Sequence, residues 1–140
     1  MLSSIPFLII PFILYNIGLT GIIDAAEGTD GDIWRTPLFS FNMMSGGVFT
    51  MVLGNALIVL ALVLLFVEVV KATRTSHLSV IDHLLSTFVF VAFLVEFLLV
   101  KGAAHSVFFI LMVIALVDLL AGLSVSIRSA RRDVNLGTEA

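Results

Sequence analysis

Long, unbroken runs of apolar residues dominate the chain, and short polar segments separate them. Four runs come near the length of roughly 20 residues that a helix needs to cross the hydrocarbon core of a bilayer. They are about 5–23, 47–70, 78–100 and 106–127. Apolar residues occur all round each run rather than along one stripe, which is typical of helices surrounded by lipid. The pattern therefore predicts four transmembrane helices.

The polar connections after the second and third runs are short. Segments 71–77 and 101–105 leave no room for a crossover, so the helices they join must be antiparallel neighbours. The sequence thus predicts an all-α fold, an integral membrane four-helix bundle of two antiparallel transmembrane hairpins. We expect it to form a single transmembrane domain over residues 1–140.

The loop at 24–46 is the longest polar connection, and its second half has a different character. Thr36 and Pro37 form a good helix start, and Trp34 and Phe41 are spaced by two helical turns. This spacing predicts a short interfacial helix over Trp34–Met44, on the membrane surface, with Trp34 as its interfacial anchor. The alternative is that the segment forms the first turns of the second helix, bent at its two glycines.

Positive charge is concentrated at one side of the predicted bundle. That side holds Lys71, Arg74, Arg128, Arg131 and Arg132. The other side holds Arg35, Lys101 and the acidic loop. Because positively charged loops stay in the cytoplasm, we expect cytoplasmic N- and C-termini, an extracytoplasmic loop at 24–46 and a polar, partly disordered tail at 128–140. The expected location is a bacterial inner membrane, crossed several times.

Composition agrees with this picture and excludes several kinds of site. Of 140 residues, 60% are hydrophobic and 12% are charged, whereas a soluble domain carries roughly 25% charged residues. Absence of cysteine excludes disulfides and thiolate metal sites. His83 and His105 lie near opposite membrane faces and cannot share one haem iron within a chain, which leaves only a pairing across a homodimer. We expect no cofactor, no metal and no nucleic-acid partner.

Asp118 is the sharpest pointer to function, because an ionisable group near the centre of a membrane costs roughly 2.5–3.5 kcal/mol. Small residues share its helix face. One interpretation is a packing seam, in which Asp118 bonds to a neighbour such as Asn55 or Thr87. This candidate helix-packing seam comprises Ala115, Asp118, Gly122, Ser126 and Asn55. The other interpretation is a proton or cation carrier, since burial disfavours a charged carboxylate.

Two further carboxylates could belong to such a carrier. Glu96 and Asp82 fall within roughly 40° of one face of the third helix. The candidate ion or proton site is therefore Asp118, Glu96 and Asp82. The simpler interpretation makes Asp82 part of a capping box with Ser79 and pairs Glu96 with Lys101.

Catalytic motifs are absent from the sequence, which has no GxSxG, HExxH or glycine-rich phosphate loop. We therefore expect a protein that is not an enzyme. The favoured hypothesis is a non-catalytic polytopic accessory or scaffold subunit of a larger membrane complex. The alternative is a small oligomeric proton- or cation-coupled transporter or channel that uses Asp118 as its carrier. Expected partners are the lipid bilayer and other membrane subunits or further copies of the chain.

Overall fold

The computed structural model describes residues 5–74 and 79–138 and is mostly helical. Its helices are α1 (Ile9–Leu19), α2 (Leu53–Arg74), α3 (Ser79–Leu99) and α4 (Ser106–Thr138). A small antiparallel hairpin of β1 (Pro37–Asn42) and β2 (Val48–Val52) precedes α2. Short 3₁₀ turns occupy Ile33–Arg35 and Lys101–Ala103.

Three of the helices are long and apolar enough to cross a membrane. Their spans are Leu53–Thr73, Ile81–Leu99 and Ser106–Ser124. Only 22%, 22% and 39% of these spans is buried inside the protein. Water would therefore meet an apolar surface far larger than soluble monomers expose. These features are those of a multi-pass membrane protein, and the prediction of a mostly helical fold with apolar spans is confirmed.

The first helix is shorter than the predicted run at 5–23. α1 has 11 residues, which makes it about 16 Å long. Pro11 lies in its first turn, where the missing amide proton costs no helical hydrogen bond. Gly21 follows the end of the helix with φ +76°, a conformation that a residue with a side chain rarely adopts.

The first segment nevertheless reaches both ends of the bundle. The Phe7 amide donates to the Glu68 carboxylate near the end of α2, at 2.6 Å. The Tyr15 hydroxyl donates to the Gly102 carbonyl, in the turn between α3 and α4, at 2.8 Å. Glu68 lies about 22 Å along α2 from Leu53. Residues 5–20 therefore run antiparallel to α2 over most of its length.

The predicted interfacial helix over Trp34–Met44 is wrong, and so is the alternative of an early start to α2. The segment forms the antiparallel hairpin instead, with Ser40 opposite Thr50 and Phe41 opposite Phe49. The reason is that polar and apolar side chains repeat here every two residues, as in a strand. Aromatic and small polar residues alternate along β1, and the second arm is rich in β-branched and aromatic residues, which favour strands.

The fourth helix is longer than predicted. The prediction ends it near residue 127 and makes 128–140 a partly disordered tail, whereas the backbone stays helical to Thr138. Proline is absent beyond residue 127, and alanine and arginine, which favour helices, occur there. α4 thus continues well past its apolar span, which ends at Ser124.

An aromatic core joins the loop to the helices at the end of the bundle where α2 begins. Tyr15 and Trp34 stack with ring centroids 4.4 Å apart, and Phe108 packs against Tyr15 at 4.8 Å. Trp34, which the sequence suggested as an interfacial anchor, is 5% exposed and lies inside the protein. Gly18 makes this possible, because a Cβ there would lie 2.6 Å from the Trp34 ring.

Replacing Gly18 with alanine should loosen this core. The added methyl group overlaps the indole ring, and overpacking of this kind costs about 1–3 kcal/mol. We expect Gly18→Ala to lower the free energy of unfolding by that amount. The measurement is a denaturing-detergent titration followed by the fluorescence of Trp34, the single tryptophan. Gly47→Ala is the matched control, since the nearest atom there is 3.5 Å away. Equal losses in both variants would contradict the packing argument.

Candidate functional site

Two clusters of polar side chains lie near opposite ends of the bundle. We call the first the Glu68 cluster, which comprises Glu68, Lys71, Ser86 and Asp118. The second, the His105 cluster, comprises Asp32 and His105 with the amide groups they hold. Because the Glu68 cluster is the more buried of the two and contains Asp118, it is the candidate functional site.

Glu68 and Lys71 form the best-connected part of the Glu68 cluster. They lie three residues apart on α2, and the Lys71 ammonium group is 3.3 Å from Glu68 Oε1. Lys71 also donates to the Ile5 carbonyl at 2.9 Å and lies 4.8 Å above the centre of the Phe7 ring. Together with the bond from the Phe7 amide, these contacts fasten the N-terminal segment to α2.

Asp118 lies beside this pair and is 7% exposed. The groups acting on its carboxylate are Glu68 and Lys71 of α2 and the hydroxyl of Ser86 on α3. Two carboxylates thus lie near a single lysine. If both are ionised, the lysine offsets only one of the two negative charges.

The candidate packing seam is brought together only in part. Ala115 is buried, and a Cβ on Gly122 would lie 3.5 Å from His83 Nδ1, so this face of α4 does meet α3. Asn55 does not join it, because its side chain is exposed at the other end of α2. The side chain of Ser126 lies outside the described residues. Thr87, the other suggested partner of Asp118, donates to the His83 carbonyl of its own helix.

The three carboxylates of the candidate ion site do not converge. Glu96 accepts a hydrogen bond from the Asn16 amide at 3.1 Å, towards the Gly102 end of the bundle. Asp82 lies near the opposite end of α3, about 21 Å away. One buried oxygen of each carboxylate has no hydrogen-bond partner within the described ranges. Asp118 is therefore the member that joins other charged groups.

His83, which the sequence raised only as a possible haem ligand, has a buried ring nitrogen. Its Nδ1 has no hydrogen-bond partner among the residues the structure describes, and it faces the gap left by Gly122. The signal in the sequence was a histidine inside an apolar run. Its chemistry could not be judged without knowing which helix it faced.

The His105 cluster holds the polar loop against the start of α4. His105 Nε2 is 2.9 Å from Asp32 Oδ2, and His105 Nδ1 accepts from the Val107 amide at 3.0 Å. With Nδ1 accepting, Nε2 is the ring nitrogen that donates to Asp32. Asp32 also accepts from the Trp34 amide at 3.0 Å.

The electrostatics of Asp32 follow from these bonds. Burial raises the pKa of its carboxyl group, but the hydrogen bonds from His105 and the Trp34 amide outweigh that effect. The pKa of Asp32 therefore lies below its ordinary value. The sequence shows no sign of this pairing, because the partner of His105 is 73 residues away.

Two surface grooves flank α1, and both are apolar. One lies between α1 and α2 and the other between α1 and α3. The first is lined by Leu14, Ile17, Gly18, Ile23, Trp34, Leu53, Ala56, Leu57 and Leu60. The second is lined by Pro6, Ile9, Phe12, Leu85, Phe88, Val89 and Ala92. Neither groove contains a charged residue, and within the described residues no three metal-binding side chains come together.

Comparison with known proteins identifies no relative: no family model, curated protein or solved structure matches this chain.

Removing the Glu68 carboxylate should release the N-terminal segment. Glu68→Ala leaves the Lys71 charge and the Phe7 amide unpaired, and breaking a buried ion pair costs about 3–5 kcal/mol. We expect a loss of that order in a denaturing-detergent titration and faster proteolysis before residue 9. Glu68→Gln keeps an acceptor and should lose less, and exposed Glu27→Ala should lose almost nothing. A wild-type result for Glu68→Ala would contradict the assigned role.

Acid should weaken the His105 cluster. A carboxyl group whose folded-state pKa is lowered contributes stability above its unfolded-state pKa, and that contribution disappears as the pH falls through the folded-state value. The stability difference between wild type and Asp32→Asn should thus be constant above about pH 5 and shrink below about pH 4. Unfolding titrations at several pH values measure it. Asp30→Asn, in an exposed ion pair of 3.8 Å, is the control. A difference that does not vary with pH would rule the mechanism out.

Proposed function

We propose that this chain is a non-catalytic, four-crossing membrane protein that works as an accessory or scaffold subunit of a larger membrane complex. The proposal rests on a contrast between the polar and the apolar side chains. The Glu68 and His105 clusters bind segments of this chain to one another. Large apolar side chains face outwards along all three long helices, where lipid or partner helices can cover them.

The outward faces are bulky enough to offer surfaces for lateral contacts. Phe66 on α2 is 69% exposed, Phe88 on α3 is 67% exposed and Leu120 on α4 is 52% exposed. Helices in a bilayer associate through close packing, because lipid tails are as apolar as leucine. A scaffold subunit therefore needs complementary shape rather than a charged patch.

Four crossings are supported by the reach of the first segment. α1 is too short to cross alone, but residues 5–20 extend from the Glu68 cluster to the turn at Gly102. The apolar residues of this segment lie alongside those of α2. The charge distribution then favours cytoplasmic N- and C-termini in a bacterial inner membrane.

Topology reporters test the crossing number. Fusions after Asp30 and after Arg131 should report opposite sides of the membrane, with Arg131 in the cytoplasm. An added N-terminal reporter should agree with Arg131, because an even number of crossings returns the chain to its starting side. An N-terminal reporter on the side of Asp30 would reduce the count to three and contradict the proposal.

A stable partner is the direct test of the accessory role. Extraction in mild detergent followed by native mass spectrometry should yield a complex of fixed stoichiometry. Phe66→Ala or Phe88→Ala should weaken that complex while the chain alone keeps its unfolding midpoint, since neither side chain is buried internally. Ile22→Ala, at a 76% exposed loop position outside the spans, is the control. Recovery of the monomer alone would overturn the accessory role.

A second candidate function has one specific observation in its favour. Lys71 pairs with Glu68 at 3.3 Å, and the buried Asp118 carboxylate lies close enough to both groups for their charges to act on it, an arrangement that a proton- or cation-binding site would need. In proteoliposomes, a proton- or cation-coupled carrier should produce a flux that Asp118→Asn abolishes without changing assembly. Ser86→Ala, which leaves both carboxylates in place, should retain most of the flux. Vesicles with no flux above lipid alone would remove this candidate.

A further inference from the structure

The hairpin of β1 and β2 has one strongly aromatic face. Side chains alternate between the two faces of a strand, so Phe39, Phe41, Phe49 and Met51 share one side. We call this the aromatic face. Phe39 and Phe41 stack with centroids 5.7 Å apart, and Phe41 and Phe49 lie 5.3 Å apart. Phe41 remains 52% exposed, so the protein itself does not cover this face.

The opposite face of the hairpin carries the three polar side chains of its strands. Ser40 and Thr50 share a hydrogen bond of 2.8 Å between their hydroxyl groups, and Asn42 lies on the same side. Val48 and Val52 also fall on this side by alternation, and Leu38 lies at the irregularity between Pro37 and Phe39. A hairpin whose polar strand side chains all lie opposite an aromatic face is suited to a boundary between an apolar and an aqueous phase.

The hairpin also begins where the chain enters the apolar layer. β2 ends at Val52 and α2, whose apolar span begins at Leu53, follows without an intervening residue. The Leu53 amide donates to the Thr36 carbonyl at 2.8 Å, which fixes the base of the hairpin to the start of the helix. The depth of the hairpin is therefore tied to the end of a candidate membrane span.

We propose that the hairpin lies in the membrane interface, with its aromatic face inserted among phospholipid acyl chains near the headgroups. Phenylalanine side chains on the apolar face of interfacial amphipathic helices insert about 5–10 Å, to the boundary between headgroups and acyl chains. The outer edges of a two-stranded hairpin carry unpaired backbone groups, which the hydrated headgroup layer can satisfy and the hydrocarbon core cannot. The inference rests on the membrane location of α2 and goes beyond the accessory role.

The charge pattern identifies the kind of lipid. No charged residue occurs between Arg35 and Glu68, so the hairpin has no group that prefers an anionic headgroup. The occupant of the aromatic face is therefore the acyl region of any phospholipid, including zwitterionic phosphatidylcholine. Insertion should not depend on the fraction of anionic lipid or on salt.

Single-cysteine spin labelling tests the proposal on the full chain, which has no native cysteine. Labels at Phe39, Phe41, Phe49, Ser40, Asn42 and Thr50 are compared in phosphatidylcholine nanodiscs. Collision with oxygen, which partitions into lipid, is measured against collision with a water-soluble nickel complex. We expect the oxygen-to-nickel ratio to be severalfold higher at the three phenylalanine positions. Addition of phosphatidylglycerol should leave the ratios unchanged.

A label at Leu62, which is 49% exposed on α2, separates the possible failures. If Leu62 meets oxygen and the three phenylalanine positions meet nickel, the hairpin projects into water and the proposal is overturned while the membrane assignment stands. If those positions meet neither reagent, or show spin–spin broadening, a protein surface or a second copy covers them and the lipid assignment is wrong. If Leu62 itself meets nickel, the membrane location of α2 fails as well.

Discussion

Glu68 accepts hydrogen bonds from Lys71 and from the Phe7 amide, and much of the bundle depends on these two bonds. A carboxylate in an apolar environment has no water to solvate it, so protein donors must take the place of water. One donor comes from the same helix and the other from a segment 61 residues away. The hydrogen bonds that stabilise this one carboxylate therefore hold α1 along α2. α1 in turn contributes Tyr15 and Gly18 to the aromatic core.

The sequence predicted the long helices well, because a bilayer leaves little choice. Apolar runs of some 20 residues can span only as helices or in closed barrels, and the unbroken runs exclude alternation. The hairpin was missed for a local reason. Trp34 and Phe41 are seven residues apart, which suits two helical turns, while Phe39 and Phe41 are two apart, which suits a strand. In a short segment that has both spacings, tertiary contacts decide between helix and strand. Here the deciding contact is the burial of Trp34 against Tyr15.

The candidate site, like the fold, could be predicted from the sequence only in part. Asp118 could be singled out from the sequence, since a lone acid in an apolar helix must face something polar. The neighbours of Asp118 could not be predicted, because Glu68 and Ser86 belong to helices whose rotation the sequence does not determine. Glu68 with Lys71 had the spacing of an ordinary surface pair. Similarly, nothing local to His105 indicates Asp32, and only the folded chain brings the two together.

The hydrogen bond between Tyr15 and Gly102 has a consequence for biosynthesis. Its two partners are 87 residues apart, which at ordinary translation speeds means a delay of about 4–17 s between their synthesis. During that interval the first segment has neither the α3–α4 turn nor Glu96, so Tyr15 and Asn16 lack the partners they hold in the finished protein. The contact of the Phe7 amide with Glu68 can form as soon as α2 is made, whereas those of Tyr15 and Asn16 must wait for α3 and the turn that follows it. A nascent chain stalled before residue 96 would therefore hold its N-terminal segment at the Glu68 end alone.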